Sequence, residues 1–109
     1  MIYSPDSYVI LRIEVTNGIE YKILGAWNGR SISYADSWRI NSGITSVDVD
    51  EKAYRIHGHS GSTYVVSQDP LTLNTFAAGI LQQVLAGPTP VTVITMEELL
   101  ESLTTGENI

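Results

Sequence analysis

The chain contains no cysteine, which removes disulfides, thiolate metal sites and a cysteine nucleophile together. Cations are scarce as well: six Lys and Arg stand against twelve Asp and Glu, for a net charge of −6. All six (Arg12, Lys22, Arg30, Arg39, Lys52, Arg55) lie in the first half, and none follows Arg55, whereas Asp69, Glu97, Glu98, Glu101 and Glu107 do. Coating a nucleic acid requires many phosphate-neutralising cations, so no long nucleic acid is expected as a partner. A small phosphorylated ligand fits better, met mainly by the first half. No apolar run approaches the ~20 residues of a membrane span, and "MIYSPDSYV" lacks the basic and apolar regions of a secretion signal. The expectation is a cytoplasmic protein with no membrane partner. At 109 residues, 43% hydrophobic and 17% charged, the chain reads as a single domain over 1–109 with a core of its own.

Periodicity divides that domain in two. "YVILRIEV" (8–15) alternates, with Val9, Leu11, Ile13 and Val15 on one face and Tyr8, Arg12 and Glu14 on the other. "TNG" is a hairpin signal, because Asn and Gly tolerate positive φ, and "IEYKILGAW" (19–27) returns. A polar loop over 28–37 follows, long enough to read as a functional lid. "SWRINSGITSVDV" (37–49) is a strand broken near Asn41–Gly43, the glycine marking a bulge or a close backbone approach. "AYRIHGH" and "TYVVS" continue the meander to residue 67. The period then changes from 2 to 3.6. Asp69 suits an N-cap and Pro70 a first helical position, so a helix is expected over about 70–86. Its apolar stripe is Leu73, Phe76, Ala77, Ile80, Leu81 and Val84. "PVTVIT" adds a short strand. Thr95 and Glu98 form a capping box that opens a second helix over about 96–103. The fold class is therefore α+β: an antiparallel meander sheet of about five to six strands over 8–67, followed by two helices packing on one face or in a dimer interface.

The two histidines lie in "HGHSGSTYVVSQDPLTLN". On one strand, His57 and His59 project from one face and would chelate Zn²⁺ if a third ligand arrived, but no HExxH or Cys/His spacing supplies one. Neither is a His-x-Ser/Thr motif intact, since His59 follows His57 and Gly61 follows His59 at that spacing. A pair of surface histidines on a hairpin is the plainer reading. No Gly-x-Ser-x-Gly elbow is present, and Glu97, Glu98 and Glu101 sit where carboxylates complement a helix macrodipole.

"DSWRINSG" offers more. Trp38 and Ile40 alternate with Arg39 and Asn41, so a buried Trp38 turns Arg39 outward or into a groove. An arginine fork beside Asn and Ser suits phosphate, because it binds two oxygens at once; solvated surface is the alternative. Tyr64 is placed to stack on a base or to pack in the sheet. Asn74 is placed to read a base edge or ribose, or to cap the helix.

Taken together, "DSWRINSG", "GSTYVV" and an asparagine shortly into the next helix resemble the phage-encoded Thoeris anti-defence sponges of the first type. The resemblance covers roughly residues 37–75. It implies an antiparallel sheet followed by helices, a homodimer or higher homo-oligomer, and sequestration without cleavage of a cyclic ADP-ribose isomer or related cyclic nucleotide, with cyclic oligonucleotides held by some relatives. By position, it implies Arg39 on the pyrophosphate, Tyr64 against adenine and Asn74 on base or ribose. The family carries a further arginine late in the chain. None follows Arg55 here, so Arg30 or Arg55 would supply its charge. No cofactor and no metal is called for, and the chain is not expected to be an enzyme. The competing readings are a protein–protein inhibitor or regulatory adaptor exploiting the acidic second half, and a phosphodiesterase or metal hydrolase using His57 and His59.

Overall fold

The computed structural model describes residues 1–27, 37–69, 72–73 and 75–105. They form an α+β fold of eight strands and two helices: β1 (Ile2–Tyr3), β2 (Ser7–Val15), β3 (Gly18–Trp27), β4 (Ser37–Ile40), β5 (Ile44–Val49), β6 (Ala53–Gly58), β7 (Thr63–Ser67), α1 (Thr75–Leu85), β8 (Val91–Ile94) and α2 (Met96–Thr105). The strands form two sheets rather than one meander. One is ordered β4-β3-β2-β8 and the other β1-β7-β6-β5. All pairings are antiparallel except that of β1 with β7.

The chain passes between sheets at Asn41–Gly43, where the sequence breaks its alternation. Gly43 has φ +135°, and a Cβ there would lie 2.6 Å from the His59 ring, so only glycine lets the corner close. The register slips immediately afterwards, between Ile44 and Ser46. Bulge and close approach are both present at the expected place. The β2–β3 hairpin turns one residue earlier than the Asn-Gly signal suggests. Val15 pairs with Gly18, leaving Thr16–Asn17 as the loop and Gly18 at φ +147°.

The sheets face each other across a core of Ile10, Ile23, Ile44, Ile56, Tyr64 and Val66. Alternation predicts only one buried face for β2, yet Ile10 and Leu11 are both buried, so this part of the sheet is covered on both sides. The helices accordingly do not share a face. Leu99 of α2 enters the inter-sheet core, with Met96 and Leu103 packed against it. On the opposite face, Gln83 and Val84 of α1 share a groove with Ile13, Lys22 and Val91.

Helix α2 begins as its capping box requires: Glu98 N–H donates to Thr95 Oγ1 (3.1 Å) and Thr95 N–H to Glu98 Oε1 (3.0 Å). Helix α1 is shorter than expected. Thr72 and Leu73 are not helical, and Asp69 is not its cap, because α1 begins only at Thr75; the Asp69 N–H turns back to Ser67 Oγ (3.0 Å). The threonines at 72 and 75 favour a helix boundary over a helix interior. Pro70, which was to open the helix, lies outside the described residues, as does the loop over 28–36 read as a lid. Among the described residues no helix is long and apolar enough to cross a membrane.

Candidate functional site

Arg39 is positioned by strand alternation. It pairs with Gly25 of β3 while Trp38 pairs with Ala26, so the two side chains leave opposite faces. Trp38 is 41% exposed rather than buried, and Arg39 lies over an aromatic cluster. Its guanidinium carbon is 4.5 Å from the centroid of the Tyr3 ring. Tyr3 reaches this point because β1 pairs in parallel with β7, setting Tyr3 beside Tyr64. The Tyr3 and Tyr64 rings are 5.2 Å apart at 37°, and Trp27 meets Tyr3 edge-on at 6.4 Å and 71°. A side chain at 25 would crowd this packing: a Cβ would stand 3.0 Å from Pro5 and 3.5 Å from Tyr64.

Arg39 and Tyr64 are thus brought together, with Tyr3 between them. Tyr64 itself is fully buried, so its ring has no free face for an adenine. The half-buried Tyr3 and Trp27 occupy the accessible side of the cluster. Burial pushes the Tyr64 phenol above its ordinary pKa, Arg39 opposes that shift, and Tyr3 adds to it. Among the described residues the hydroxyl makes no hydrogen bond of ordinary geometry, but the guanidinium is near enough to act on it both as a charge and as a donor. Neither Tyr3 nor Trp27 is marked in the sequence: Tyr3 sits in a two-residue strand with no period to detect, and Trp27, the last residue of β3, meets it only through the long-range pairing of β1.

The remaining candidates separate. Arg55 points away from this cluster: Ile56 and Tyr64, paired across β6 and β7, face the core, while Arg55 and Val65 face the other way. Arg55 pairs with Asp50 at 3.3 Å, and from that face of the sheet it does not reach the Arg39 cluster of its own chain. Arg30 and Asn74 lie outside the described residues. Asn41 does not assist Arg39, because it is buried and its side-chain oxygen is held by the backbone. Its N–H donates to Ile23 O (3.1 Å), and its Oδ1 accepts from Ile23 N–H (3.0 Å), extending the sheet by one rung. Ser42 Oγ accepts from Ser60 N–H at 3.0 Å. Asn41→Ala therefore leaves a buried amide unpaired and should cost roughly 1–3 kcal/mol in chemical denaturation, with ligand affinity at Arg39 unchanged.

The histidines do not act together. His57 faces outward from β6, hydrogen-bonded to Asp48 Oδ2 at 2.9 Å and Thr63 Oγ1 at 3.1 Å. His59 has left the strand and lies against Gly43. The chain turns at Gly58–Gly61 before the strand's alternation reaches His59, which is why the two rings do not share a face. Among the described residues no three His, Asp or Glu side chains gather to hold a metal ion.

The Arg39 cluster offers a binding point for an anion. The aromatic ring holds the guanidinium by a cation–π contact and leaves its N–H fork for an oxyanion. Among the described residues no carboxylate lies within ion-pair distance of it. No family model, curated protein or solved structure matches this chain.

Proposed function

We propose that the chain is a non-catalytic sponge that binds and sequesters a cyclic ADP-ribose-type signalling nucleotide, and so inhibits bacterial anti-phage defence. The observation that carries the reading is the Arg39 guanidinium laid over Tyr3 with no carboxylate partner among the described residues. In this arrangement Arg39, held over Tyr3, grips the pyrophosphate, and the half-buried Trp27 takes the stacking role that the resemblance assigns to Tyr64. A cyclic ligand loses little conformational entropy on capture, so a site of few groups binds it tightly.

The working form is a homodimer in the host cytoplasm. Between Asp69 and Glu97 the chain has no charged residue. Phe76 of α1 and Val93 of β8, both in this segment, are 45% and 41% exposed. An uncharged, partly exposed helix and edge strand are the composition of a self-association face.

Calorimetric titration with cyclic ADP-ribose isomers tests the reading. Saturable binding, with a dimer in sedimentation, is the expected result. Heats that do not saturate for any isomer would reject it.

A further inference from the structure

A cavity lies well along β3 from Arg39, where the β2–β3 hairpin, the Gly43 corner and α2 meet. It measures about 340 Å³, and Arg12, Glu20, Tyr21, Ile44, His59 and Leu103 are among the residues lining it. That volume falls within the ~300–1,000 Å³ of ordinary small-molecule sites.

Three features define its chemistry. First, the Gly43 corner sets two polar groups near each other: His59 Nε2 and Glu20 Oε1 lie 3.3 Å and 3.4 Å from the position a Cβ on Gly43 would take, so the two are less than about 7 Å apart, within the span of one bridging ammonium group. The backbone fixes this arrangement, since His59 N–H donates to Gly43 O at 3.0 Å. A carboxylate and an imidazole nitrogen converging in this way accept hydrogen bonds from one small donor-rich cation, such as an ammonium group. Among the described residues Glu20 has no ion-pair partner. Second, Arg12 supplies the opposite charge. Its pairing with Glu14 is long, at 3.8 Å, with both side chains well exposed, and such a pair is worth little, so an incoming carboxylate recruits the guanidinium readily. Third, Ile44 and Leu103 give the cavity an aliphatic wall.

We infer that this cavity is a binding site for a small zwitterion, an α-amino acid with an aliphatic side chain. Glu20 and His59 receive the ammonium group, Arg12 the carboxylate, and the Ile44–Leu103 wall the hydrocarbon. The site is independent of the Arg39 cluster, and it accounts for His59, which the proposed function leaves unused.

Nuclear magnetic resonance titration of the intact chain with L-leucine tests it. Amide shifts are expected at Glu20, His59 and Leu103 and not at Arg39. Two analogues each lack one charge: 3-methylbutylamine and 4-methylpentanoate should bind about tenfold or more weakly, the scale of one charge-assisted hydrogen bond. Glu20→Gln should weaken leucine by a similar factor while leaving the thermal midpoint in place. The inference is overturned if leucine shifts none of these amides at tens of millimolar, or if either analogue binds as tightly as leucine. Because the analogue comparison uses the unaltered chain, it decides the question even if the variant misfolds.

Discussion

Arg39→Ala is expected to weaken binding of a cyclic ADP-ribose isomer by roughly a hundredfold or more. Two charge-assisted hydrogen bonds from one guanidinium fork, at about 1.5 kcal/mol or more each, amount to that factor. The fold should respond less. Arg39 is exposed; its cation–π contact over Tyr3 is worth about 1 kcal/mol or less at an exposed site, and its approach to the Tyr64 hydroxyl adds about 1 kcal/mol. Arg39→Lys separates charge from shape: it keeps the cation but loses the planar fork, so its affinity should fall between those of the alanine variant and the unaltered chain. Parallel titrations and melting curves check both statements. A large fall in thermal midpoint with little change in affinity would make Arg39 a structural residue.

Tyr64→Ala carries the second large effect, and it falls on stability. Tyr64 is fully buried and packs in the inter-sheet core with Ile10, Ile23 and Ile56. Removing a ring of this size from a packed core costs about 3–5 kcal/mol, or roughly 12 °C or more in the melting midpoint of a small domain. Tyr64→Phe deletes only a hydroxyl that has no ordinary hydrogen bond, so it should lie within about 1 kcal/mol of the unaltered chain and retain ligand binding. Alkaline titration separates the two forms further. Burial raises the pKa of the Tyr64 phenol. A raised folded-state pKa gives stability that is complete below the unfolded value and lost as pH climbs through the folded one. The unaltered chain should therefore lose stability more steeply than Tyr64→Phe above about pH 10. Tyr8, raised by burial and then by Tyr54, leaves a residual slope in both.

The legible parts of this fold are those with local causes. Alternation through Trp38, Arg39 and Ile40 is enough to place the tryptophan and the arginine on opposite faces. The Thr95–Glu98 capping box opens its helix, and the break at Asn41–Gly43 marks the corner between strands. Long-range features left no local trace. That β8 pairs with β2, and that β1 reaches β7 in parallel from the far end of the chain, are facts of packing. Tyr64 shows why this matters for the site: its strand pattern indicates which face it takes, but not that a second sheet closes over that face. Asn41 reads as a polar neighbour supporting a phosphate-binding Arg39 until its partner, Ile23, is known. The His57–His59 pairing fails because the turn ends the strand that would have aligned the rings.

The most direct measurement starts from the protein saturated with one cyclic ADP-ribose isomer, freed of unbound compound and then heat-denatured, with the released molecule weighed by mass spectrometry. The account predicts recovery of the isomer at its original mass, one per binding site, and none from the Arg39→Ala chain prepared alongside. A hydrolysed or linearised product would contradict it, as would equal recovery from both chains.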